Sequence, residues 1–346
     1  MKVDRKHLLE VLQTVQPGLA GKEIIELSTS FIFMEGRVLT YNDKVSISRP
    51  IDVDFEGVVV AKEFVKLLEK LKDEEVDISI DKAHLIVKGK KNKAGINIEK
   101  STNIDEILDV LGKVKKWSAL PATFVEGLSY CLSSVGKDMT RALLTCIHCN
   151  GNKMMSSDDV RITVFDLGEH ADIEALNVPS EAAEGLRSFS PLKYATTKGW
   201  AHFKAENDAV FSCRLLTGEY AADKTMKYVE KAAEGEKFAL PQGLSEALDR
   251  AGIFSTGVEI KTANDNRVRL TLADGNVTIK GEGNAGWFEE TSRVRYKGDP
   301  LEFDVNPTFL QQILSHTNEV TINNRTLRFE TDDFIHVILT LTPRKK

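Results

Sequence analysis

Cysteine is scarce: the chain has four in 346 residues, and Cys131, Cys146, Cys149 and Cys213 all lie in its middle part. A disulfide-stapled secreted fold distributes many cysteines over a short chain, so these read as reduced thiols. Long apolar runs are missing as well. Hydrophobic residues make up 42% of the chain, yet no stretch approaches the roughly 18 to 20 apolar residues that a membrane span requires. The opening Met1-Lys2-Val3-Asp4-Arg5-Lys6-His7 runs into an amphipathic segment holding Glu10. It lacks the uninterrupted apolar core of a signal peptide, and a cytoplasmic protein with no membrane association is expected. Positive charge is in deficit, with a net charge of −6, which argues against a protein that coats itself with nucleic acid. A local basic surface stays open to an acidic chain, because a phosphate feels charge within a Debye length of about 8 to 10 Å and not the total.

What the chain has is a repeat. A strand-into-helix phrase occurs three times, as Val58-Val59-Val60-Ala61-Lys62-Glu63-Phe64, as Leu176-Asn177-Val178-Pro179-Ser180-Glu181-Ala182 and as Phe303-Asp304-Val305-Asn306-Pro307-Thr308-Phe309. Val60, Val178 and Val305 stand 118 and 127 residues apart, each about one ordinary domain. Polar connecting stretches, Lys113 to Leu120 and Glu230 to Leu240, divide the chain into 1–117, 118–235 and 236–346.

Each third has the same order of elements. A first helix is expected from the stripe Leu8, Leu9, Val11, Leu12 and Val15, from Phe124, Val125, Leu128 and Leu132 after Pro121, and from Leu244, Leu248 and Ala251 after Pro241. Strands and hairpins follow. Ser30 to Tyr41 folds back at Glu35-Gly36, and Arg267 to Lys280 alternates around Asp274-Gly275. Closing hairpins pair Val76–Ile80 with His84–Val87, Trp200–Phe203 with Ala209–Cys213, and Val320–Ile322 with Thr326–Phe329. Two helices on one face of a mostly antiparallel sheet make each third an α+β layer.

Enzyme signatures do not assemble. Gly281-Glu282-Gly283-Asn284-Ala285-Gly286 spells GxGxxG after a strand, but Trp287 to Tyr296 alternates as another strand, so no helix N-terminus is available for a pyrophosphate and the glycines read as a turn. Cys146-Ile147-His148-Cys149 spells CxxC, but on a strand the two sulfurs point to opposite faces and no second pair completes a zinc site. No P-loop is present, and Asp73-Glu74-Glu75 and Asp332-Asp333 sit at turns as solvated charge. No catalytic centre, metal site or cofactor is expected.

The chain resembles the bacterial sliding clamp family, the beta subunit of the replicative DNA polymerase III. The resemblance runs along the whole length. It is carried by Arg5-Lys6-His7-Leu8-Leu9, Val60-Ala61-Lys62-Glu63-Phe64, Arg141-Ala142-Leu143-Leu144, Ser157-Asp158-Asp159-Val160-Arg161-Ile162-Thr163-Val164, Leu216-Thr217-Gly218-Glu219-Tyr220 and Val337-Ile338-Leu339-Thr340-Leu341. It implies three DNA-clamp domains forming half of a six-domain ring, a head-to-tail homodimer around double-stranded DNA. Such a ring holds DNA by topology, with sequence-independent phosphate contact. It also implies short peptide motifs through which a DNA polymerase and a clamp loader dock. The competing expectation is a clamp-fold interaction scaffold without topological DNA binding.

Site residues follow from the resemblance. Lys62, Lys66 and Lys70, spaced by four on one helix, with Lys22, Lys137, Arg141, Lys193, Lys198 and Arg250 in helices or helix-adjacent loops, would face DNA. The alternative for each is a solvated face, and the second helices of the later thirds, Ser180 to Arg187 and Thr308 to His316, carry almost no Lys or Arg. Ile96 and Ile98, on the alternating edge strand Gly95 to Glu99, and Ile253 and Phe254 would form the dimer interface; the alternative is ordinary core. The peptide cleft would be walled by Leu144, Ser157, Arg161, Ile162, Ala221, Thr225, Met226, Val337, Leu339 and Leu341. Two departures stand out. Asp159-Val160 replaces the family's usual Gly-His before the arginine, and the tail runs on as Pro343-Arg344-Lys345-Lys346.

Overall fold

A computed structural model describes residues 1–23, 25–99, 104–255, 266–323 and 325–343; the tail residues Arg344 to Lys346 lie outside them. Among the described residues there are eight α-helices: α1 (Arg5–Val15), α2 (Ala61–Lys70), α3 (Ile104–Leu111), α4 (Phe124–Leu132), α5 (Ser180–Phe189), α6 (Ala222–Lys231), α7 (Leu244–Ser255) and α8 (Pro307–Leu314). The chain forms two compact units, Met1–Glu126 with Leu176–Thr217, and Gly127–Ala175 with Gly218–Lys346.

The first unit is built on a sheet of twelve strands among the described residues. In spatial order they are Lys2–Asp4, Glu75–Asp81, His84–Lys88, Lys93–Glu99, Gly57–Val60, Ser30–Met34, Arg37–Tyr41, Val45–Pro50, Val210–Arg214, Trp200–Lys204, Lys193–Thr197 and Ser118–Ala119. The expected turn at Glu35-Gly36 has φ of 46° and 67°, the paired left-handed conformation that matches strand twist in a two-residue hairpin. Asp4 caps α1 by accepting from the His7 N–H at 2.7 Å. Arg5 then donates to the carbonyls of Leu68 at 2.9 Å and Asp73 at 2.8 Å, which satisfies the end of α2 with a cation.

A sheet of eight strands among the described residues, all of it but Leu176–Pro179 in the second unit, runs in the order Ile173–Pro179, Cys146–Gly151, Lys153–Ser157, Arg161–Asp166, Phe334–Leu339, Thr326–Glu330, Glu319–Ile322 and Glu236–Ala239. A separate sheet runs Gly286–Arg293, Asn276–Gly283, Val268–Ala273, Leu301–Val305. Its Asp274-Gly275 turn has φ of 52° and 73°, again as the sequence demands. Asn284 and Ala285 form the turn between strands that the GxGxxG segment was expected to make.

The first helices of the three thirds bury equivalent stripes. Leu8, Val11, Leu12 and Val15 in α1 correspond to Phe124, Gly127, Leu128 and Cys131 in α4 and to Leu244, Ala247, Leu248 and Ala251 in α7, all of them buried. The last two stripes carry smaller residues at their second and fourth positions, Gly127 and Cys131 or Ala247 and Ala251 where α1 has two valines, and close contacts accompany them. A Cβ on Gly127 would stand 2.6 Å from Met154 Sδ, and one on Gly281 would stand 1.9 Å from the Ala251 carbonyl oxygen of α7.

The three thirds and the two compact units divide the chain differently, and strand pairing explains why. Val45–Pro50 pairs antiparallel with Val210–Arg214, and Arg161–Asp166 with Phe334–Leu339, so each large sheet continues from one third into the next. Two helices, α3 and α6, add to the pair expected in each third. Ile107 and Leu111 of α3 are buried with Tyr41 and Trp200, and their i, i+4 spacing is the signal that reveals this helix.

The contact at Gly281 is backbone against backbone, with no flexible atom to yield. Gly281→Ala is expected to cost about 2 to 3 kcal/mol by urea unfolding, whereas Gly243→Ala, with nothing within 4 Å of the new Cβ, stays within about 0.5 kcal/mol of the parent.

Candidate functional site

Four of the ten expected peptide-cleft residues, Ser157, Ile162, Val337 and Leu339, share one sheet face in the second unit. Lys153–Ser157, Arg161–Asp166 and Phe334–Leu339 are successive antiparallel neighbours, with Ser157 opposite Ile162 and Ile162 opposite Val337. Directly opposed residues share a face, so the three form one row. Leu339 follows Val337 on that face at the strand period of two; it is 38% exposed, and its N–H donates to the Val160 carbonyl at 2.7 Å. Leu341 is fixed by reciprocal backbone bonds with Asp304 at 2.8 and 2.9 Å.

Leu144 belongs to the 3-10 segment Met139–Thr145, and a Cβ on Gly218 would stand 3.0 Å from Leu143 of that segment. Gly218 has φ +130°, so the approach of Leu216 to Tyr220 to this segment needs a glycine. Ala221 leads into α6, where Thr225 Oγ1 donates to the Ala221 carbonyl at 3.0 Å, with Thr225 buried and Met226 half-buried. Tyr220 stacks on His148, ring centroids 4.7 Å apart and planes 4° from parallel. Burial pushes the Tyr220 hydroxyl up, with Cys146 and Cys131 adding to it, and burial pushes the Cys146 thiol up to about 12. Both groups are therefore neutral supports at neutral pH.

Arg161 stands apart from the row. Its side chain lies on the opposite face from Ile162 because strand neighbours alternate, and it does not join the row. Its guanidinium lies 3.5 Å over the Phe309 ring of α8, bonds Asp158 Oδ2 at 2.7 and 3.0 Å, and donates to Gln312 Oε1 at 3.0 Å. It ties the sheet to α8. Asp159 has φ +75°, a backbone conformation in which glycine is at home, and its carboxylate pairs with Arg141. Asp159 thus holds a left-handed turn and adds an ion pair to it.

Among the expected DNA-facing cations, Lys62, Lys66 and Lys70 form an exposed stripe on α2, opposite the buried Phe64 and Leu68. Lys22 and Lys137 are exposed outside helices. Lys193 opens strand Lys193–Thr197, and Lys198 sits in the turn after it; the alternating Tyr194-Ala195-Thr196-Thr197 favours a strand, so neither lies on a helix. Arg141 and Arg250 are engaged by carboxylates, Arg250 with Glu290 at 2.6 Å.

The interface candidates separate. Strand Lys93–Glu99 pairs with His84–Lys88 on one side, and on the other, among the described residues, Ile98 and Glu99 alone are matched, to Val59 and Val58. Ile98 is buried, and a Cβ on Gly57 would stand 2.6 Å from it, so Ile98 is core; Ile96 is half-buried. Ile253 is 66% exposed at the end of α7, and Phe254 lies 3.5 Å from the Cβ position of Gly286. That contact leads to a surface the sequence reading missed: Gly286–Arg293 is an edge strand carrying Trp287, 65% exposed. Also missed was a basic hairpin of exposed Lys88, Lys90, Lys91 and Lys93, four lysines within six residues. Asp73 organises it, accepting from the Lys90 N–H at 3.1 Å and Asn92 Nδ2 at 3.2 Å, and these bonds hold its carboxyl below the usual range.

By sequence the chain matches no protein-family model and no curated protein. Its structure is similar to the DNA polymerase sliding clamp of Pseudomonas aeruginosa, with a TM-score of 0.83 at 16% identity over 99% of each chain. It is likewise similar to the DNA polymerase III beta chain of Streptococcus pneumoniae (0.82, 17%, 99% of each) and to the sliding clamp of Bacillus subtilis (0.81, 18%, 99% of each). The fold is that of the DNA polymerase III beta sliding clamps, a three-domain α+β fold with mostly antiparallel sheets. The fold expected from the sequence is the fold observed.

Behind the Ile162–Val337 row, on the helix side of the sheet, Thr163 Oγ1 is 2.8 Å from His336 Nδ1 and 2.7 Å from Ser134 Oγ. Burial, with Arg161 and His316 nearby, pushes His336 down to about 3. Its folded value lies below the ordinary 6.5, so the unfolded chain binds the extra proton. Stability from this group is complete above pH 6.5 and declines as pH falls toward 3. Between about pH 6 and 4 the urea stability of the parent is expected to fall more steeply than that of His336→Gln, by up to about 1.4 kcal/mol per pH unit. Equal slopes would show that His336 titrates normally.

Proposed function

We propose that this protein is a sliding clamp: two copies, each contributing the three domains 1–117, 118–235 and 236–346, close head to tail into a ring around duplex DNA. The ring tethers a DNA polymerase and other DNA-processing partners through the apolar row on the second unit. It acts in the cytoplasm by topology and carries out no chemistry of its own. The observation that carries this reading is the end-to-end match to clamp structures, 99% of both chains.

Two edges support the dimer. Strand Lys93–Glu99, with its partly unmatched side, adjoins Lys88, Lys90, Lys91 and Lys93, while edge strand Gly286–Arg293 presents Trp287 and Glu289 beside Ile253. A long exposed edge is a liability unless something covers it, and the two edges carry opposite charge. A heterologous contact between them closes into a ring when the rotation permits. Inside the ring, Lys62, Lys66 and Lys70 supply weak attraction to phosphates, and Lys22, Lys137, Lys193 and Lys198 add positive charge to the units that carry them.

A second reading, a scaffold of the same fold without topological DNA binding, is favoured by one observation. Arg141 and Arg250 are spent on Asp159 and Glu290, and α5 and α8 contribute only Arg187.

The deciding experiment loads the protein with a clamp loader onto nicked circular DNA. A clamp stays bound through a wash of about 0.5 M salt, where phosphate contacts are screened, and is released when the circle is cut. Release by salt alone, or indifference to cutting, favours the scaffold. The edge contact is tested by native mass: the parent is expected at twice the chain mass, and Ile253→Asp with Trp287→Asp at one. A parent that stays monomeric at micromolar concentration removes the ring.

A further inference from the structure

We propose that Arg328 selects the docked peptide, so that the apolar row takes an extended segment that also carries one acidic side chain, Asp or Glu, placed to meet the Arg328 guanidinium. This rests on the reading of the row as a peptide dock. Strand Thr326–Glu330 is the next neighbour of Phe334–Leu339, and Arg328 stands directly opposite Val337. The row Ser157, Ile162, Val337 therefore continues into a cation, one strand spacing of about 4.8 Å past Val337. Beyond it, on the same face, come Thr321 and Lys237.

Arg328 is held in a way that surface arginines are not. Its side chain is only 11% exposed, and its buried Nε has no hydrogen-bond partner among the described residues. Nη1 donates to Glu330, two residues further along the same face and half exposed. The other cation of the group, Lys237, is bonded to Glu319 at 2.8 Å, so its charge is already met. A guanidinium offers five donors in a planar fork, and a buried donor left unmet is costly, so this fork has capacity for a second carboxylate. Glu330, with one side in water, can yield its place or share it.

The surroundings decide which anion fits. Glu319 and Glu330 flank the guanidinium, and a polyanion such as a nucleic-acid backbone would be repelled by both. A single carboxylate on an otherwise apolar strand would meet one fork and avoid the rest. Arginine is also the side chain suited to planar, two-point carboxylate recognition, which lysine cannot supply.

The test selects displayed random heptapeptides on the full-length protein, then measures the best one, made with Asp and with Asn at its acidic position, by fluorescence anisotropy. On the parent the Asp peptide is expected to bind at least about 10-fold more tightly, as for a charge-assisted bond. Arg328→Gln should weaken the Asp peptide to the level of the Asn peptide and leave the Asn peptide unchanged. Arg328→Lys should recover part of the difference, and Glu330→Gln, which keeps the guanidinium and removes its internal partner, should tighten the Asp peptide. Selected peptides without acidic residues, or an Asp preference that survives Arg328→Gln, overturn the role of Arg328 and leave the dock standing. Failure to recover any peptide, or recovery unaffected by Val337→Asp, overturns the dock itself.

Discussion

Backbone pairing between strands that lie far apart in sequence is the constraint on which the rest of this structure depends. Val45–Pro50 meets Val210–Arg214, and Arg161–Asp166 meets Phe334–Leu339, each through a ladder of N–H and C=O groups that must be satisfied somewhere. Both joints are reinforced at the side-chain level. Arg37 donates to the Asp208 carbonyl at 2.8 Å across the first, and Thr163 meets His336 across the second. The apolar row exists only because the second joint brings Ile162 to Val337 across about 170 residues of chain.

The three thirds solve one packing problem with different residues. Each first helix must lie on a sheet, and the distance to that sheet is set by what the strands present. Where α1 offers two valines, α7 offers two alanines, and Gly281 on the facing strand removes even the Cβ. Charge follows a similar economy. Arg141 and Arg250 on the last two thirds are engaged by carboxylates while the α2 stripe stands exposed, and an acidic protein can thereby hold a basic surface where it has a use.

Much of the fold was legible in the sequence. The Glu-Gly and Asp-Gly turns, the three strand-into-helix phrases and the helices α1, α4 and α7 form where local pattern places them, since each is decided by neighbours within about ten residues, although in α4 the small Gly127 and Cys131 are buried where Val125 and Leu132 were expected. The candidate site was less legible, and the reasons are physical. Ser157, Ile162, Val337 and Leu339 share a face because two strands pair in a particular register, and one step of slippage would have turned each of them over. Arg161 sits among those residues in sequence, but alternation sends it to α8. Ile98 alternates like an edge residue, yet Gly57 leaves a space that it fills. Trp287 and the Lys88 to Lys93 hairpin were plain in composition, but their significance depends on which strands end up at sheet edges, a property of the assembled topology.

Along Arg161–Asp166 the wall between the Ile162–Val337 row and the helices is a single strand thick. Consecutive residues there serve opposite environments: Ile162 the face it shares with Ser157 and Val337, Arg161 and Thr163 a polar network anchored in α8 and near α4. The two environments share every peptide group from Arg161 to Thr163, so the guanidinium that stacks on Phe309 and the Ile162 side chain are held by the same stretch of backbone. A substitution that displaces this strand is therefore felt on both of its faces at once, and neither face can be repacked independently of the other.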